Sequence, residues 1–234
     1  EAILREAEKE SDIIIWDGGN NDFSFYFSDL EIVVVDPHRA GDELLYYPGE
    51  VNFKRADVII INKMDTAEDS GIRRVKENIQ ACNAKAAIIE ARSPVYAEHG
   101  QVLSGQRVLV VEDGPTLTHG GMKYGAGTLA AKKYGAKEIV DPRPWLTGTL
   151  IDTFKKYPSI GNLLPAMGYG KEQIGDLQKT INQTDCDYVV IGTPIDLARV
   201  IDIQKPFVRV TYELEEIGTP NLESVLLPFV NNLV

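Results

Sequence analysis

The chain has 234 residues, 44% apolar and 25% charged, which are ordinary proportions for a globular protein of one large domain or two modest ones. Its formal net charge of −11 excludes a broad basic face for nucleic acid or anionic lipid, so an anionic ligand must be held locally by a loop or a few placed cations. No apolar run reaches the roughly 18 residues of a membrane span and no signal segment opens the chain; Cys82 and Cys186 lack metal-type spacing, so free thiols and a cytoplasmic setting are expected.

The opening EAILREAEKESD sets Ile3, Leu4 and Ala7 among charges, as in the latter part of an amphipathic helix, and runs straight into the apolar DIIIW. A helix feeding a strand with no lead-in is expected of a chain that starts inside a domain. DIIIW, LEIVVVD, ADVIIIN and AAIIEA read as strands of a parallel sheet covered on both faces, ending at Asp17, Asp36, Asn62 and Ala91. Between the last two, Thr66 and Asp69 resemble a capping box, and Ile72, Val75 and Ile79 repeat at helical spacing. The tetrad Asn62, Lys63, Met64, Asp65 therefore sits at a strand's carboxyl end before a helix, where open α/β sheets bind ligands.

Regular patterning lapses over residues 93 to 106, which sets a domain boundary, with residues 1–103 as the carboxyl-terminal part of a P-loop NTPase-like domain and 104–234 as a Rossmann-like α/β domain. The second half alternates again. RVLVVED is a strand, residues 125 to 134 a helix, EIVD a strand, 149 to 156 and 171 to 181 helices, YVVIG a strand, Pro194 the start of a short helix capped by Thr193, FVRVTYE a strand, and Asn221 the start of a closing helix.

Candidate chemistry begins with the tetrad. An aspartate at the Asp65 position can accept two parallel hydrogen bonds from guanine's N1–H and exocyclic amine, while Asn62 and the Lys63 stem pack against the base; adenine lacks that donor pair. The same letters also serve as an ordinary turn before a helix. Asp17, in WDGGNND, stands where NTP-dependent proteins hold Mg²⁺ through water near the γ-phosphate; an Asp-Gly turn is the plain alternative. Asp36 ends the next strand, and Arg39 behind it either meets a phosphate or is a solvated loop arginine. The Walker A pattern is absent, because the Gly170, Lys171 pair is followed by Glu172 and has Pro165 where the first glycine belongs.

The densest loop runs from Glu112 and Asp113 through Thr116, Thr118, His119, Gly120, Gly121, Lys123, Gly125 and Gly127 into an Ala-rich helix. Glycine N–H groups and a helix N-terminus can cradle an anion, with Thr116, Thr118, Gly120, Gly121 and Gly125 as its binding residues. Lys123 would add a point charge, with His119 and Asp113 as proton-handling candidates. Close packing against a sheet is the structural alternative for the glycines. Arg143, in DPRPW, either faces the same anion or lies on the surface between two prolines.

Residues 13 to 65, together with VLVVEDGPTLTHGGMKYGAG, EIVDPRP, PAMGYG, DYVVIGTPIDL and YELEEIG, resemble the cyclic 2,3-diphosphoglycerate synthetase and predicted P-loop GTPase family along nearly the whole chain. That resemblance implies a carboxyl-terminal portion of a larger protein, inactive without a phosphate-binding loop that family members carry earlier. It implies closure of an intramolecular phosphoanhydride in 2,3-diphosphoglycerate, with GTP or ATP and Mg²⁺, in a protein compatible with homo-oligomers. The alternative is a GTP-binding switch or metallochaperone-like GTPase acting through a protein partner.

Overall fold

A computed structural model describes residues 1–19, 22–118, 122–166 and 170–231, save the side chain of Thr116. Its elements begin with α1 (Ala2–Ala7), β1 (Ile32–Val35), α2 (Asp42–Leu45), α3 (Tyr47–Arg55), β2 (Val58–Ile61), α4 (Asp69–Cys82) and β3 (Ala87–Arg92). They continue with β4 (Val95–Ala97), β5 (Arg107–Asp113), α5 (Gly114–Thr118), α6 (Ala126–Lys133), β6 (Glu138–Ile139), α7 (Thr149–Lys156) and β7 (Leu164–Ala166). Last come α8 (Lys171–Gln183), β8 (Tyr188–Ile191), β9 (Phe207–Tyr212), β10 (Glu215–Glu216) and α9 (Leu222–Asn231).

The chain forms two compact units, Glu1–Pro94 with Leu214–Val234, and Val95–Glu213. These limits differ from a break after residue 103 with a second domain running to the end. β4 pairs antiparallel with β9 and so belongs with the second sheet, while β10 pairs antiparallel with β3 and brings α9 back to the first. Both pairings join residues more than a hundred positions apart, and neither leaves a periodic signal at the crossover.

In the first unit, β1, β2 and β3 are parallel neighbours, with β10 on the far side of β3. β2 is buried along its whole length because apolar side chains leave it on both faces. On one face Ile59 and Ile61 pack with Val35, Phe53, Val75 and Ile79; on the other Val58 and Ile60 pack with Ile89, Ala91 and, from α9, Leu222 and Val225. Asn83, just past α4, is buried and donates through Nδ2 to the carbonyls of Phe53 (2.9 Å) and Ala56 (2.8 Å), which closes the end of α3.

Not every apolar run became a strand. DIIIW lies outside any sheet, with Ile15 87% exposed. Apolar composition registers a tendency to be buried, but a strand exists only where a neighbour completes its hydrogen-bond ladder, and β1 is paired only to β2 among the described residues.

The second unit is a sheet of order β4-β9-β8-β5-β6, with β7 also paired to β5. β5, β6, β7, β8 and β9 run parallel, and β5 is buried from Val108 to Glu112. Val108, Leu109, Val110 and Val111 meet Ala130 and Ala131 of α6, Leu177 and Ile181 of α8, and Val189 to Ile191 of β8 in one core. The α/β class with largely parallel sheets expected from the sequence is the class observed. Among the described residues no helix is long and apolar enough to cross a membrane, and Cys82 and Cys186 are free thiols.

Candidate functional site

Because β1, β2 and β3 are parallel and in register, their carboxyl ends open on one edge of the first sheet. Three loops meet there, beginning at Asp36, Asn62 and Ser93. The N–H of Asn62 donates to the Val35 carbonyl (3.1 Å) and that of Met64 to the Ala91 carbonyl (3.1 Å), so the tetrad is stitched to the strands on both sides. Asn62, Lys63 and Asp65, expected as base-binding residues, are thus brought together.

Their side chains are held in a definite way. Asn62 Oδ1 accepts the N–H of Lys63 at 2.8 Å, and Lys63 adopts φ +56°, a left-handed conformation that non-glycine residues rarely take. Asp65 Oδ1 accepts the N–H of Ser93 at 3.1 Å. Lys63 Nζ reaches across to Asp36 Oδ2 at 2.8 Å, and Asp36 Oδ1 accepts the N–H of His38 at 3.0 Å. The His38 ring bonds Thr66 Oγ1 through Nε2 at 2.9 Å, and Arg39 stands 3.7 Å from Asp36 Oδ2. Burial raises the Asp36 pKa, but the Lys63 hydrogen bond and charge, the His38 N–H and Arg39 outweigh it and hold the carboxyl below its ordinary value. Thr66 also donates to the Lys63 carbonyl (3.3 Å), and α4 starts after Glu68, which caps it with no side-chain bond. The Thr66 and Asp69 capping box is therefore not formed, because the threonine hydroxyl serves the loop instead.

Asp17 does not stand at a strand end, since residues 11–19 form no strand, and its side chain is exposed. Among the described residues no three His, Cys, Asp or Glu side chains gather as metal ligands.

In the second unit Gly125, Gly127 and Thr128 are organised around Glu112, which the sequence marks only as the end of a strand. This carboxylate is 1% exposed. Its Oε1 accepts from Gly125 N (3.0 Å), Thr128 N (2.7 Å) and Thr128 Oγ1 (2.9 Å), and its Oε2 accepts from Gly127 N (3.1 Å). The amino end of α6, expected to cradle a ligand anion, already holds an anion of the chain's own. Gly125 is accordingly a Glu112 contact, and a Cβ there would lie 2.6 Å from Oε2. Gly127 and Gly192 are equally confined: a Cβ on Gly192 would sit 2.5 Å from Glu112 Oε2 and from the Gly127 nitrogen. Burial pushes the Glu112 pKa above the usual glutamate range, against the pull of the Thr128, Gly127 and Gly125 donors.

Arg143 also has an internal task. It bonds Asp141 Oδ1 (2.9 Å), the Gly161 carbonyl (3.4 Å) and the Ile160 carbonyl, and its guanidinium lies 5.0 Å over the Phe154 ring. Lys123 is exposed. A Cβ on Gly161 would be 3.9 Å from the Lys123 carbonyl, so Arg143 and Lys123 flank the same glycine. Asp113 ends β5, and Thr118 Oγ1 donates to the Gly114 carbonyl at 2.8 Å within α5, a helix where a loop was expected. His119, Gly120 and Gly121, and the Thr116 side chain, lie outside the described residues. Ser93 and Glu112 are the polar groups that sequence reasoning missed; neither belongs to a motif, and each declares itself only through a partner distant in sequence.

Residues 12–90 match the model of the CobW/HypB/UreG nucleotide-binding domain family. Over 232 residues, 99% of this chain, the sequence is 62% identical to a protein of Thermococcus kodakarensis (strain ATCC BAA-918 / JCM 12380 / KOD1) named arginine synthetase ArcE. The chain spans about half the length of that curated relative, 52% of it. The resemblance to cyclic 2,3-diphosphoglycerate synthetases is corrected by this relative, whose name assigns a different product. Phosphoanhydride closure falls with it, and so does the reason for expecting 2,3-diphosphoglycerate as a substrate, while the match of residues 12–90 to a nucleotide-binding domain family agrees with the nucleotide binding expected from the sequence.

Proposed function

We propose that the first unit holds the base of a guanine nucleotide within a longer protein that hydrolyses nucleoside triphosphate to drive arginine formation, the product in the name of the 62%-identical relative. The observation that carries the base assignment is the anchored Asp65. Ser93 N–H occupies one lone-pair direction of Oδ1 and fixes the carboxylate in the strand-end edge, so that Oδ2 and the remaining Oδ1 lone pair can accept a paired N–H donor. Nucleotide would enter as its Mg²⁺ complex, and catalysis would consist chiefly of positioning and charge neutralisation. Lys123, exposed in the second unit, is a cation with which a phosphorylated group could pair.

A second reading has an observation of its own. The match of residues 12–90 to the CobW/HypB/UreG domain favours a GTP-dependent switch or metallochaperone-like GTPase whose output is a partner protein. The two readings part on arginine. In the full-length protein, phosphate release from GTP should fall when millimolar arginine is added if arginine is the product, whereas a switch would be indifferent to it. Calorimetry with GTP and ATP tests the base assignment. Asp65→Asn exchanges one acceptor for a donor facing guanine's donors and should cost about 2–3 kcal/mol, roughly 30- to 150-fold in GTP affinity, with little change for ATP. An unchanged GTP preference would show that the tetrad is only a turn.

A further inference from the structure

The tetrad does not hold its own lysine. Lys63 is left-handed at its backbone, its four-carbon stem is half exposed, and a lysine in that setting would ordinarily swing into water, giving up rotamer freedom when fixed. Here the head group is captured from the neighbouring strand end by Asp36, at 2.8 Å. Asp36 is itself fixed by the His38 N–H, and the His38 ring returns to Thr66 beside the tetrad. The β1 loop and the β2 loop are thereby closed into one ring of contacts.

We infer that Asp36 is a positioning residue for the nucleotide base: by fixing Lys63 Nζ it lays the lysine stem across the strand-end edge as a preformed apolar rest for the ring. This rests on the guanine-nucleotide reading above and adds a residue on a different strand to it. A preformed rest improves affinity by removing the cost of ordering the stem on binding. It has no part in telling guanine from adenine, which Asp65 does. The consequence is a split: loss of Asp36 weakens GTP and ATP alike, and leaves their ratio where it was. Lys63, Arg39 and the His38 N–H are the charged and polar groups that face the Asp36 carboxylate.

The test is a double-mutant cycle in the full-length protein, with GTP and ATP dissociation constants measured by calorimetry and thermal unfolding followed on every variant. Asp36→Asn should weaken both nucleotides about tenfold at an unchanged GTP-to-ATP ratio, and Asp36→Asn combined with Lys63→Met should be no weaker than Lys63→Met alone. Asp36→Glu, which keeps the charge, should recover most of the loss, and this variant carries the test if Asp36→Asn does not fold. Wild-type affinity in Asp36→Asn, a multiplied loss in the double variant, or a change in the GTP-to-ATP ratio would each overturn the inference while leaving the base assignment standing. Absence of GTP binding by the wild-type protein would instead overturn the base assignment, and this inference with it.

Discussion

Glu112→Ala isolates the claim that a buried carboxylate of the chain, and not a ligand, completes the amino end of α6. The substitution strips the acceptor of the N–H groups of Gly125, Gly127 and Thr128 and of the Thr128 hydroxyl. Gly127 and Thr128 are buried, so three of these donors lose their partner away from solvent. At about 1–3 kcal/mol for each buried donor left unpaired, and allowing for rotation of the hydroxyl and for water entering the vacated space, the loss is about 3–5 kcal/mol. Urea unfolding measures it. Trp145 packs against the core of the second unit, so in a Trp16→Phe background its fluorescence reports that unit alone, and a fixed slope would show that the change is in stability. Glu112→Gln should fall between, since its oxygen can keep the three bonds of Oε1 while its amide nitrogen faces the Gly127 N–H. The pH dependence has a definite sign. Burial raises the folded pKa, so the stability linked to this group is full below the ordinary glutamate value of about 4.3 and declines as pH rises through the folded value. The difference between wild type and Glu112→Ala should therefore be largest in acid and narrow toward neutrality. A loss below about 1 kcal/mol would refute the reasoning, because it would mean that these donors have another partner.

Two further outcomes concern the first unit. Gly71→Ala places a methyl against the Pro37 carbonyl, so α4 must move away from the turn that follows Asp36; a loss of about 1–3 kcal/mol in urea unfolding followed by far-ultraviolet circular dichroism is expected, with weaker GTP binding alongside. Asp36 has the opposite pH sign to Glu112. Its lowered folded pKa gives stability that is present above about pH 4 and lost as pH falls through the folded value, so Asp36→Asn should flatten the acid limb of the unfolding profile below that point, and an unaltered limb would show that the Lys63 pair contributes nothing to folding.

Much of this protein was legible as local pattern. The runs LEIVVVD, ADVIIIN and AAIIEA announce strands because they are nearly continuously apolar, and the 3.6-residue spacing of Ile72, Val75 and Ile79 announces α4; each is a burial demand made by neighbouring residues, which a sequence records directly. The position of Asn62, Lys63 and Asp65 after a strand follows from the same pattern, and it is what makes them candidates at all.

What only the tertiary structure decided is which distant groups meet. The pairing of β1 with β2 in register sets Asp36 beside Lys63, and the return of the chain's end to β3 covers the first sheet with α9. DIIIW has the composition of a buried strand yet lies outside the sheets among the described residues, since hydrogen-bond partners are not a property of the run itself. In the second unit Gly125, Gly127 and Arg143 looked fit to receive an anion, and their donors are turned inward, to Glu112 and to the carbonyls of Ile160 and Gly161. A donor's chemistry is written in its residue type, but the acceptor that claims it is settled by the packing of segments far apart in the chain, and that packing separates a binding loop from a well-satisfied turn.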